Sequence, residues 1–143
     1  MSSVSLRAPR ATVLLLVADP QTRAGWVEAL EAGRFVTLAT ADVEVAIAHA
    51  REGGIDLIGF DASERPADGA RLVAALERLP EPPPLLLASS SPRGPELSAH
   101  LGAAGFLPLP CDPTDLLDEC EAVLASRPVA LEDVPSGPAS RDP

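Results

Sequence analysis

Short aliphatic runs alternate with segments of helical periodicity along most of this chain, and that alternation restricts the fold more than any other property of the sequence. Thr12 to Val17 (TVLLLV) offers almost no polar side chain to either face of a strand. A strand that is apolar on both faces belongs in the middle of a parallel sheet, with helices above and below it. Asp19-Pro20 closes the run, because proline cannot extend a central strand but suits the first turn of a helix.

The same unit then recurs. Trp26, Val27 and Leu30 fall at helical spacing among Arg23, Glu28 and Glu31, and Gly33 marks the end of a first helix. Phe35 to Thr40 (FVTLAT) reads as a second strand, and Asp42 caps a second helix that carries Val43, Ala46, Ile47 and Ala50 and ends at Gly53-Gly54. Ile55 to Phe60 (IDLIGF) is a third strand, ending on Asp61. A third helix is expected over Ala70 to Leu79, before Pro80 and the Pro82-Pro83-Pro84 run break it. Leu85 to Ala88 gives a fourth buried strand that ends in Ser89, Ser90 and Ser91, and Glu96 to Leu101 a helix stopped by Gly102. Phe106 to Leu109, with Pro108 inside it and Pro110 after it, suits an edge strand. Asp112-Pro113 opens a last helix with Leu116, Leu117, Cys120, Val123 and Leu124 along one side.

Strict strand-helix alternation argues for an α/β fold: a doubly wound parallel sheet, flavodoxin-like (βα)5, with strand order 2-1-3-4-5 as right-handed crossovers favour. The chain's 143 residues suit one domain, expected over residues 11–126, with a flexible lead-in over 1–10 and a disordered tail or linker over 127–143. Aromatics make up only 3% of the chain against 46% hydrophobic residues, so the core must be built from Ala, Val, Leu and Ile.

Charge excludes some partners. A net charge of -10 repels phosphate backbones and anionic headgroups, so neither direct nucleic-acid binding nor membrane binding is expected. All 11 basic residues are Arg, which leaves no ammonium side chain anywhere in the chain. The apolar run from Ala11 to Ala18 is too short to span a bilayer and meets Asp19-Pro20 without a cleavage site, so a cytoplasmic protein is expected. Cys111 and Cys120 lack metal-site or disulfide spacing and read as small buried hydrophobes. His49 and His100 read as surface or boundary residues, and Glu44, Glu64 and Asp68 as solvated charges.

In a sheet of this kind functional groups gather outside the carboxyl ends of the strands, and Asp19, Asp61 and Ser89 follow strands one, three and four. With LLLVADP, DLIGFDAS, Asp68-Gly69, PLLLASS, GAAGFLPLP and DPTDLLDE in that order, residues 12–126 resemble the CheY-like receiver domain of two-component response regulators. The resemblance implies a phosphoacceptor at Asp61, a metal-binding acid at Asp19 acting with Asp61 on Mg²⁺, a phosphate-contacting hydroxyl at Ser89 and an aromatic switch residue at Phe106. It also implies a cis bond at Leu109-Pro110, no enzymatic activity, and protein partners: a kinase, an output protein or a second copy.

Two positions depart from the family pattern. Ala18 stands where the first acid of the metal pair is usual, and Leu109 where the phosphate-binding Lys is usual. Transfer of a phosphoryl group to a carboxylate needs cations to neutralise the charge that accumulates on the transferring oxygens. Mg²⁺ binding by Asp19 and Asp61 is expected to be weak, and although Arg65 or Arg93 lies on a nearby loop, its planar fork would need a different approach, so no Arg is expected to replace the missing cation. The expectation is a pseudo-receiver that acts mainly through protein-protein contacts, using helices four and five with strand five. A phosphoacceptor working with Mg²⁺ is the alternative, and an unrelated flavodoxin-like ligand-binding domain the second. Gly59, inside strand three, is expected to make room for a neighbouring side chain.

Overall fold

The computed structural model describes residues 10–126, so the expected lead-in before Arg10 and the tail from residue 127 lie outside the described residues. Five strands alternate with five helices: β1 (Thr12–Leu16), α1 (Pro20–Ala32), β2 (Val36–Thr40), α2 (Val43–Glu52), β3 (Leu57–Asp61), α3 (Asp68–Leu76), β4 (Leu85–Ser89), α4 (Gly94–Leu101), β5 (Gly105–Pro108) and α5 (Pro113–Ala125). The strands form one parallel sheet in the order β2-β1-β3-β4-β5, as the alternation predicts. β5, with its proline, lies at an edge.

Side-chain alternation divides the core into two layers. Val13, Leu15, Leu57, Leu86 and Leu107 pack with Trp26, Leu30, Leu116 and Val123 on the α1 and α5 side. Leu14, Leu16, Ile58, Phe60 and Leu87 pack with Ile47, Leu72 and Leu76 on the α2 and α3 side. Both faces of β1, β3 and β4 are therefore apolar for a structural reason. Gly59 lies opposite Leu15 in the register, and a Cβ added there would come within 2.9 Å of Leu15 Cδ2. The glycine makes the space that this leucine fills.

Element ends differ from the sequence expectation where local chemistry intervenes. α3 starts at Asp68, two residues early, because Asp68 N and Gly69 N already donate to Arg65 O and Pro66 O (both 3.1 Å). It ends at Leu76 rather than Leu79: Arg78 N and Leu79 N turn back to Ala75 O and Leu76 O in a tighter turn, and Pro80 disfavours helical backbone at the residue before it. α4 begins at Gly94, with Pro95 in its first turn. β3 starts at Leu57 rather than Ile55 and takes in Asp61, while β5 runs one residue ahead of its expected span.

Two charges expected to be merely solvated have partners. Glu44 accepts two hydrogen bonds from Arg71 (2.9 and 2.8 Å), joining α2 to α3, and Asp68 pairs with Arg65 at 3.4 Å. The Glu44-Arg71 pair is exposed, so its contribution is about 1 kcal/mol or less. Arg10 pairs with Glu121 and lies over the Phe35 ring, 4.8 Å from its centroid.

The core of both layers is mainly aliphatic, and burial of such side chains is the dominant favourable term in folding. Leu30, fully buried between α1 and the sheet, gives a direct check. Leu30→Ala is expected to lower unfolding free energy by about 2–5 kcal/mol, measured by urea denaturation.

Candidate functional site

The site is built from the ends of strands. Sheet pairing runs past the strands themselves: Val17 N donates to Thr40 O (3.0 Å), Ala62 N to Ala88 O (2.8 Å) and Leu109 N to Ser89 O (3.0 Å). These bonds hold the rim in register. Asp61 is the last residue of β3, paired with Ala88, and is 8% exposed. Its Oδ1 accepts from Ser63 N at 2.9 Å. Ser89 ends β4, is buried, and accepts from Ser91 N at 3.0 Å through its Oγ.

Asp19 is the N-cap of α1. Its Oδ2 accepts from Thr22 N (2.8 Å) and Thr22 Oγ1 (2.9 Å), satisfying a backbone donor that the first helical turn leaves free. The Thr22 backbone bond above all, with the Thr22 hydroxyl and the nearby Arg23 charge, holds the Asp19 carboxyl below its ordinary value of 3.8 against an opposing effect of burial. Arg23 itself donates to Val17 O (2.9 Å) and Ala18 O (3.3 Å). Ala18, next to the cap, therefore has a guanidinium on its carbonyl.

Asp19, Asp61 and Leu109 come together in a cleft of about 510 Å³, with Trp26, Cys111 and Leu116 also in its lining. Ser89 lies instead in an adjoining groove of about 640 Å³ with Ser91, Arg93 and His100, and Ser63 borders both. Phe106 packs against α4: a Cβ at Gly94 would lie 2.8 Å from Phe106 Cζ and 3.0 Å from Ser89 Cβ. Arg65 and Arg93 pair with Asp68 and Glu96, and neither borders the Asp61 cleft. The Leu109-Pro110 bond is cis.

Several neighbours of the site escape sequence reading. Thr22 and Arg23 do carry a local signal, three and four residues after a helix cap, where one helical turn returns to it. Ser63 lies two residues beyond Asp61, the spacing of an Asx turn. Cys111 has no such local signal. Burial, then the negative charges of Asp115, Asp112 and Asp61, push its thiol up; burial foremost pushes Cys120 to about 12. Cys120 is buried, as expected, whereas Cys111 is only half-buried and opens on the cleft.

Among the described residues no group of three or more His, Cys, Asp or Glu side chains could hold a metal ion. Asp19 and Asp61 both line the cleft, and Glu64 and Asp112 are further carboxylates in its lining. No helix among the described residues is long and apolar enough to cross a membrane.

No family model matches the sequence, and no curated protein matches it. Solved structures do. CheY4, a chemotaxis response regulator of Vibrio cholerae, is 25% identical with a TM-score of 0.70, over 79% of this chain and 98% of that one. The signal receiver domain of NarL from Mycobacterium tuberculosis is 26% identical with a TM-score of 0.71, over 84% and 100%. HP1043, an orphan response regulator of H. pylori, is 17% identical with a TM-score of 0.69, over 82% and 99%. The chain has the CheY-like, flavodoxin-like receiver fold.

The cap geometry has a pH consequence. A carboxyl whose folded pKa is depressed contributes stability above its unfolded value, near 3.8, and that stability is lost as pH falls through the lower folded value. Asp19 is expected to titrate below 3.8 by carbon-detected NMR, and Asp19→Asn, which keeps a capping side chain, to weaken less on acidification. Titration of Asp19 at or above 3.8 would contradict this.

Proposed function

We propose that this chain is a receiver-type signalling module that acts mainly through protein-protein interaction, with phosphorylation at Asp61 disfavoured. Leu109 carries the reading. It borders the Asp61 cleft and packs onto the α1 and α5 core layer, offering neither charge nor hydrogen-bond donor where a developing phosphoryl charge would need one. Arg65 and Arg93 are engaged with acids elsewhere.

Mg²⁺ fits the residues present only weakly. Asp19 and Asp61 would be its protein ligands, and Asp19 Oδ2 already accepts two bonds from Thr22. When bound, the ion would supply part of the charge neutralisation that Leu109 cannot. The remaining machinery would belong to the chain: Asp61 as acceptor, Ser89 as hydroxyl contact, and Phe106, packed against Gly94 of α4, as the residue that would carry a change at the rim to that helix.

Partners are proteins: a kinase, an output protein or a second copy, meeting the surface of α4, β5 and α5. The acidic chain disfavours nucleic acid and anionic lipid. No enzymatic turnover is part of this reading.

A small-molecule phosphodonor with Mg²⁺, followed by intact-mass measurement, tests it. The native protein is expected to show no stoichiometric phosphoryl adduct, and Leu109→Lys to raise the modified fraction. A stoichiometric adduct on the native protein that disappears in Asp61→Ala would overturn the reading.

A further inference from the structure

We infer that the Asp61 cleft binds an ammonium group carried on an apolar stem and supplied from outside the chain, an inference that rests on the reading of Leu109 above. Asp61 is 8% exposed, and only its Oδ1 has a hydrogen-bond donor, Ser63 N. Among the described residues nothing donates to its other oxygen, and none of the ion pairs includes Asp61 or Asp19. A buried carboxylate in that condition is costly, so a cation entering the cleft gains the pairing that the chain does not supply.

The shape and lining of the cleft narrow the ligand. Its volume of about 510 Å³ falls within the range of small-ligand sites. Carboxylates at Asp19 and Asp61 exclude an anion. Trp26, Leu109 and Leu116 form an apolar wall that a fully hydrated metal ion would leave without a partner, while a neutral apolar molecule would leave Asp61 unpaired. A primary alkylammonium satisfies both parts: its compact head brings three donors to the carboxylates, and its stem covers the wall. Such a group is found on free alkylamines and at the end of a lysine side chain.

The test titrates the full chain with hexylammonium chloride, followed by amide NMR, with hexan-1-ol as the neutral counterpart. Saturable shifts are expected at Asp61, Ser63 and Leu109, with hexan-1-ol weaker by about tenfold or more, the size of a lost hydrogen bond to a charged group. Asp61→Asn is expected to weaken the amine to a similar degree, and Leu109→Lys, which brings its own ammonium, to abolish binding. Equal binding of alcohol and amine, or unchanged amine binding by a folded Asp61→Asn protein, would overturn the inference. A capped Ala-Lys-Ala peptide distinguishes the sources. Tighter binding than hexylammonium assigns the site to a protein-borne lysine, and weaker binding to a free amine. Amine binding and phosphoryl transfer are read separately, so failure of one is not mistaken for failure of the other.

Discussion

The parallel pairing of β1 with β3, from Val13 opposite Leu57 to Leu16 opposite Phe60, is the constraint on which the rest of the structure depends. It places the ends of two sequence-distant strands side by side and so brings Asp19 and Asp61 to one rim. The pairing is secured from both faces, because alternate residues of each strand enter different core layers. Gly59 belongs to this arrangement: the strands sit in register with Leu15 occupying the volume that a side chain at that position would need. Hydrogen bonds that continue past the strands extend this order to Ala62, Ser89 and Leu109.

A rim held in register by these hydrogen bonds makes the chemistry of each position count. Asp61 is buried because it is still within the sheet, its backbone in register with Ala88, whereas Asp19 has already turned into a helix cap and has its charge stabilised locally by Thr22. The two acids therefore occupy different backbone settings within one cleft, one inside the sheet and one at a helix cap. Leu109 adds to the apolar packing around α1 and α5 and gains part of the roughly 1.5–3 kcal/mol of a fully buried leucine. The leucine brings no charge to the cleft, and among the described residues no ion pair includes Asp61.

Much of the fold is legible in the amino-acid order alone, since the aliphatic stretches of TVLLLV, IDLIGF and PLLLA favour burial on both faces, and Asp42, Gly53, Gly102 and Asp112-Pro113 punctuate the helices. Departures lie at element ends, where the tight turn from Ala75 to Leu79 and the early start at Asp68 depend on hydrogen bonds that periodicity does not encode. In the site, the locations of Asp19 and Asp61 at strand ends are readable. Ser89 in an adjoining groove, Cys111 in the cleft, and the engagement of Arg65 and Arg93 are not, because each depends on how side chains and loops settle at the rim.

The sequence by itself determined the strand-helix alternation, the two-sided burial of the central strands, and the absence of a lysine beside Asp61. These follow from local composition and periodicity. Tertiary structure alone decided that Leu109, Trp26 and Leu116 wall the cleft that Asp61 borders. Which side chains share a small volume depends on how α1, α5 and the strand ends converge, and that is a property of packing between elements rather than within any one of them.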